Sequence, residues 1–173
     1  MKKIMKFSGV LLLVIMTLFL TQQCAVMRAD KDTEAWRYEI EPVGVGTQGT
    51  YIIKVWSYSS NQNVAIEQAK KNAVHGIIFR GFTGKQGVPG QRALTNNVNL
   101  EQERADFFDP FFSRGGKYMK FVSLSGDGAI GAGDRIKIDK RTYKIGVVVT
   151  VNVAALRKDL EDAGIIKGLG SGF

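Results

Sequence analysis

Ile145-Gly-Val-Val-Val-Thr-Val-Asn-Val153 is the stretch on which the fold turns. Ile145, Val147, Val149, Val151 and Val153 alternate without a break with Gly146, Val148, Thr150 and Asn152. Successive strand side chains point to opposite faces, so this pattern lines one side of a sheet with β-branched aliphatics. Residues 51–58, Tyr-Ile-Ile-Lys-Val-Trp-Ser-Tyr, have the same aromatic and β-branched character and read as a second strand. Further upstream Trp36, Tyr38 and Ile40 alternate with Arg37, Glu39 and Glu41, the period of a half-buried strand. Pro42 has no N–H to give to a ladder, so this strand belongs at a sheet edge or carries a bulge. Residues 44–49 are then the hairpin turn between the two.

The period changes after Tyr58. Ser60 or Asn61 caps a helix whose Ile66, Ala69, Ala73, Val74 and Ile77 share one face, with Glu67, Gln68, Lys70, Lys71 and Asn72 on the other. Ala65, Ala69 and Ala73 let such a helix lie close against a sheet, and Gly81 ends it. Residues 81–97 read as a long, flexible, glycine-punctuated loop. A second helix is expected over 99–108, stopped or re-aimed by Asp109-Pro110. A strand over 117–124, a glycine loop over 125–133, further sheet over 135–153 and a last helix over 154–163 complete the chain, with Gly164 as its C′ residue. The order β-β-α-α-β-β-α predicts an α+β fold: a mainly antiparallel sheet of about four strands with two or three helices packed on one face.

The N-terminus has a different character. Lys2, Lys3 and Lys6 precede an apolar run, residues 7–20, that is shorter than the ~20 residues a membrane-spanning helix needs. A basic flank followed by an apolar segment of this length is the pattern of an export signal. Thr21-Gln22-Gln23-Cys24 follows, and a cysteine closing such a segment resembles the lipobox of bacterial lipoproteins. In that family the signal is cut before the cysteine, which then receives acyl chains. Lipoboxes usually place a small residue where this chain has Gln23. Cleavage after Ala25 or Ala29, or an uncleaved anchor, are the other readings of the segment. Cys24 is the only cysteine, so it has no disulfide partner within the chain and no second thiolate for a metal. The organisation expected is therefore a lipoprotein signal over 1–23, a tether over 24–35, and a single domain over 36–173 with a flexible, glycine-rich tail.

The chain carries a net charge of +8, and the three leader lysines account for three of those charges, leaving +5 on the 150 residues from Cys24 onward. No zinc, helix-turn-helix or RNA-binding pattern occurs, so nucleic acid is not an expected partner. A moderately basic surface suits anionic envelope material such as phospholipid headgroups or cell-wall polymer.

Several motifs resemble chemistry in part. Gly44-Val45-Gly46-Thr47-Gln48-Gly49 fits G-x-G-x-x-G, but dinucleotide binding needs a helix after it and here a strand follows. Asp127 and Asp134 flank Gly128, Gly131 and Gly133, too few carboxylates for a good calcium loop. His75 is the only histidine, which excludes a two-histidine metal site within the chain. It reads as a packed or capping residue near a helix C-terminus, where the positive form is favoured. Glu101, Glu103, Asp106 and Asp109 offer carboxylates on a helix, with no separation legible from sequence. The expectation is a non-enzyme without cofactor or metal. Phe107-Phe108-Asp109-Pro110-Phe111-Phe112 places four phenylalanines in six positions. They either plug the end of the core or form an exposed apolar knob for a partner; as candidate partner-binding residues they are Phe107, Phe108, Phe111 and Phe112. Arg114, Lys117 and Lys120 nearby suit a membrane-facing or acidic-partner patch.

The signal, the strand hairpin, the helix Ala65-Ile66-Glu67-Gln68-Ala69-Lys70-Lys71-Asn72-Ala73-Val74 and the later valine-rich strand together resemble two groups. These are the small peptidoglycan-associated lipoproteins of Gram-negative bacteria and the N-terminal domain of flagellar assembly protein T. The shared trait is an A-x-x-x-A-x-x-x-A-V helix lying on a small sheet. The resemblance implies a non-catalytic accessory protein of the outer membrane, tethered through acyl chains on Cys24, with an envelope protein or cell-wall polymer as partner. The alternative is a soluble periplasmic or secreted module that binds an apolar or glycan ligand.

Overall fold

The computed structural model describes residues 36–47, 49–126 and 129–168. The signal, the tether, Cys24, Asp127 and the last residues of the tail lie outside the described residues. The elements are β1 Tyr38–Val45, β2 Thr50–Ser59, α1 Gln62–Phe79, α2 Leu100–Glu103, α3 Ala105–Phe111, a 3-10 turn Lys117–Phe121, β3 Val122–Leu124, a second 3-10 turn Ala132–Asp134, β4 Arg135–Lys137, β5 Tyr143–Asn152 and α4 Val153–Asp162.

The valine run becomes the strand that organises the sheet. β5 pairs antiparallel with β2 along its whole length, from Thr50 opposite Asn152 to Ser59 opposite Tyr143. Its other edge is shared by β3 at residues 149–151 and by β4 at residues 143–145. β1 pairs only with β2, so it is an edge strand, and its register shifts between Pro42 and Gly44. A proline at a bulge on an edge removes no hydrogen bond that a neighbour needs. The result is an antiparallel α+β sheet.

Alternation sets the core. Ile53 and Val55 of β2 and Ile145, Val147, Val149 and Val151 of β5 are buried on one face. Onto that face packs α1, which touches β1, β2, β3 and β5 and so crosses the strands. Ala65, Ala69 and Ala73 are fully buried, and their small side chains permit the close approach. Asn61 caps α1 by accepting from the Asn63 N–H at 2.9 Å. On the opposite face of the sheet the Trp56 ring covers Gly146, its cross-strand partner.

Five local expectations are corrected. Gln68 and Asn72, placed on the solvent face of α1 by periodicity, are only 2% and 4% exposed. The cause is that α1 is covered twice, by the sheet and by the Lys117–Phe121 turn, and that Asn72 faces β2, where its Nδ2 donates to Ser57 Oγ at 2.9 Å. The second helix is two short ones, interrupted at Arg104, and the later one continues through Pro110. Residues 117–121 form a 3-10 turn instead of a strand, because Tyr118 and Phe121, three apart, are both buried and a three-residue period stacks them on one side. Val153 opens α4 instead of ending β5, since the Asn152 side chain caps that helix by accepting from the Ala155 N–H at 2.9 Å.

The fifth concerns residues 81–97, which are hydrogen-bonded along much of their length. Phe82 and Gln91 exchange N–H···O bonds of 2.8 and 3.0 Å, Lys85 and Val88 exchange bonds of 3.1 and 3.0 Å, and the N–H groups of Leu94 and Thr95 bind carbonyls of Ile77 and Ile78 at the end of α1. Gly81 is where this excursion meets the helix. Its φ is +67, its N–H closes α1 on the Gly76 carbonyl, and a Cβ there would collide with the Gln91 carbonyl and the Ala93 nitrogen. Positive φ costs a non-glycine residue roughly 1–2 kcal/mol before any clash. Gly81→Ala is therefore expected to destabilise the domain by at least about 2 kcal/mol in urea unfolding. A loss below a few tenths of a kcal/mol would show that the loop is not pinned at this point.

Candidate functional site: the aromatic corner around His75

The candidate residues converge at one corner. β1 supplies Tyr38, the second half of α1 supplies His75 and Phe79 and its C-cap Arg80, α2 supplies Glu101, and α3 with its C-cap supplies the four phenylalanines. Tyr38 Oη lies 2.6 Å from His75 Nδ1, and His75 Nε2 lies 3.2 Å from Glu101 Oε2. With neutral His75 these contacts are satisfied by one tautomer. The Tyr38 hydroxyl donates to Nδ1, and Nε2–H donates to the Glu101 carboxylate. The order is a relay from phenol to imidazole to carboxylate.

The surroundings set its protonation. His75 is 4% exposed, with Phe79 at 4.7 Å and Phe112 at 5.8 Å between ring centroids. Burial pushes the His75 pKa below its ordinary 6.5; the Glu101 hydrogen bond and charge oppose the shift, and the Arg80 and Lys71 charges add to it. The expectation that a place near the helix C-terminus favours the positive form is thus corrected: desolvation outweighs the dipole and the carboxylate. Burial also raises the Tyr38 pKa well above the ordinary range, despite the Arg80 guanidinium lying 4.3 Å over its ring. Both groups stay neutral near pH 7.

The phenylalanines occupy the core side of this corner. Phe108, Phe111 and Phe112 are buried and Phe107 is half-buried. Phe108 meets Phe79 edge to face at 5.2 Å, Phe107 stacks on Phe111 at 5.4 Å, and Phe111 stacks on Phe121 at 6.2 Å. A partner arriving at this face would meet the rim of Phe107, while the other three rings hold α3 to α1 and the 3-10 turn. Of the nearby cations, Lys117 is paired with Asp159 at 2.8 Å, and Arg114 and Lys120 are exposed.

The remaining candidates are dispersed. Among the helix carboxylates only Glu101 reaches His75; Glu103 accepts from Asn97 and Asp106 pairs with Arg104. Asp134 is bound by Lys54 at 2.6 Å. Gly44 and Val45, expected in the hairpin turn, instead end β1 opposite Ile52 and Tyr51, so the turn is shorter than 44–49; the Gly49 carbonyl accepts from the Val153 and Ala154 N–H groups that start α4. An open depression of about 560 Å³ lies beside the corner, lined by Arg80, Phe82, Thr83, Gln91, Arg92 and loop glycines. Sequence reasoning missed the parts played by Tyr38, Glu101 and Arg80. No local signal marks them, because Tyr38 and Glu101 lie 37 and 26 residues from His75.

No protein-family model, curated protein or solved structure matches this chain.

The corner has a measurable pH signature. A histidine whose folded pKa is depressed binds fewer protons folded than unfolded, so stability is full above the unfolded value near 6.5 and is lost as pH falls below it. His75 is the sole histidine, so the urea midpoint should fall between pH 7.5 and 5.5 in the wild type and stay flat in His75→Gln. A flat wild-type profile would contradict burial of neutral His75. Tyr38→Phe removes the donor to Nδ1 and is expected to cost about 1–3 kcal/mol at pH 7.5; no measurable change would remove the relay as a contributor.

Proposed function

We propose that this chain is a lipid-anchored protein of the bacterial cell envelope, exported by its N-terminal signal, acylated on Cys24 and held at a membrane, where it acts as a non-catalytic structural or assembly factor. One observation carries the reading: a basic flank, an apolar run too short to span a bilayer, and the chain's only cysteine four residues after that run. Two acyl chains give stable anchoring where one gives only marginal binding, at about 0.8 kcal/mol per buried methylene. The outer membrane is the membrane implied by the resemblance to small peptidoglycan-associated lipoproteins and to the N-terminal domain of flagellar assembly protein T.

The corner around His75 supports a scaffold role. Tyr38 and Glu101 are both hydrogen-bonded to His75, and Phe108, Phe111 and Phe112 pack against α1 and the 3-10 turn.

Intact mass and membrane fractionation of wild type and Cys24→Ser test the proposal. The wild type should carry acyl mass, begin at Cys24 and sediment with membranes, and the variant should lose the acyl mass. A wild type cleaved after Ala25 or Ala29 and recovered as soluble protein would overturn the anchor and favour a free binding module.

A further inference from the structure

Residues 135–144 contain five cations, Arg135, Lys137, Lys140, Arg141 and Lys144, and one acid, Asp139. They form β4, a turn and the first residues of β5. The turn is well built: the Ile138 and Asp139 N–H groups donate to the Thr142 carbonyl at 3.0 and 3.3 Å. Asp139 Oδ1 accepts from the Arg141 and Thr142 N–H groups, both at 2.8 Å. The acid is engaged chiefly by its own turn, with the Lys137 charge acting on it as well. Lys144 is paired with Glu39 at 2.7 Å, and Arg135 lies 4.2 Å over the Tyr143 ring. Among the described residues no ion pair engages Lys137, Lys140 or Arg141.

Between these cations Ile136 and Ile138 stand 46% and 48% exposed. Charged residues on a short edge strand guard against edge-to-edge pairing, which accounts for Arg135 and Lys137. It does not account for two isoleucines left in water beside them, or for Lys140 and Arg141 in the turn. Within β4, Ile136 lies on the face opposite Arg135 and Lys137, so the hairpin carries unpaired cations and protruding aliphatics on its two sides; entering tip first, it complements one kind of surface, an anionic bilayer, with phosphate for the cations and the acyl boundary for the aliphatics.

Sheet register supplies a second argument, one that rests on the lipid anchor. Arg135 lies opposite Ile145, Ile145 opposite Ser57, and Ser57 opposite Tyr38. The β4–β5 turn is thus at the end of the sheet where β1 begins, three strand spacings or about 14 Å away. That is the end at which residues 24–35 lead into the domain, and twelve residues reach at most about 40 Å. A lipid on Cys24 would hold the domain by the end at which β1 starts.

We propose that the β4–β5 hairpin is a second membrane contact, with Lys137, Lys140 and Arg141 at anionic phospholipid headgroups and Ile136 and Ile138 at the interface. The placement rests on the lipid-anchor reading; the contact itself does not require acylation, so it is tested without it. Full-length Cys24→Ser protein is incubated with vesicles of phosphatidylcholine alone and of phosphatidylcholine with phosphatidylglycerol, and bound protein is measured by sedimentation. Binding should rise with phosphatidylglycerol and weaken with salt. One cation near an anionic surface is worth about fivefold in partition, so the neutralising Lys137→Gln/Arg141→Gln should lose about 25-fold. The charge-reversing Lys137→Glu/Arg141→Glu should lose more in the same direction, and the charge-matched Lys85→Glu/Arg92→Glu should stay near the parent protein. Equal loss in hairpin and control variants, or no loss in either, overturns the proposal. So does an unchanged vesicle partition with binding to isolated peptidoglycan lost in the hairpin variant, which would assign the hairpin to the cell wall. Failure of acylation in the mass experiment would leave a positive vesicle result standing, so the two readings fail separately.

Discussion

The pairing of β2 with β5 is the constraint on which the rest of the molecule depends. It runs unbroken from Thr50 opposite Asn152 to Ser59 opposite Tyr143, and side chains of the two strands therefore stay in register on both faces. On one face that register sets Ile53 against Val149 and Val55 against Val147, the floor on which α1 rests. On the other it places Trp56 over Gly146, where a side chain on the partner would displace the ring. β1 attaches to the free edge of β2, and β3 and β4 share the free edge of β5. A one-residue slip would turn every buried valine of β5 outward.

The His75 corner is a second tie, made of polar groups. It joins β1, α1 and α2 through two hydrogen bonds inside an aromatic shell. Such a relay constrains geometry more than it adds net stability, because each buried polar group first loses its water. It also makes the domain sensitive to mild acid, since protonating His75 puts a charge among Phe79, Phe112 and Tyr38. The basic hairpin stands at the sheet end where β1 begins. The register of four strands, and not sequence proximity, brings the start of β1 and that hairpin to one end.

Much of the fold was legible because strands announce themselves by alternation. The valines of β5, the mixed aromatic and β-branched run of β2 and the edge position signalled by Pro42 needed only local rules. Helix-face assignment failed at Gln68 and Asn72 because periodicity supposes one buried side, and α1 has two. The 3-10 turn at Lys117–Phe121 resembles a strand in sequence because burial three residues apart fits neither the strand nor the helix period. The phenylalanines were legible as a cluster, and only coordinates divide them into three buried rings and one half-buried ring. The His75 relay was not legible at all, since Tyr38 and Glu101 reach it through tertiary packing. Nor was the basic hairpin, because cations in sequence look like any solvated turn until neighbouring carboxylates are located and the isoleucines are seen to be exposed.

The central claim is that Cys24 carries lipid. Growing cells that express the chain can be fed an alkyne-tagged fatty acid, and the protein captured and probed for the tag. Labelling of the wild type that is absent from Cys24→Ser is the predicted result. An unlabelled wild type, or equal labelling of both, would contradict it.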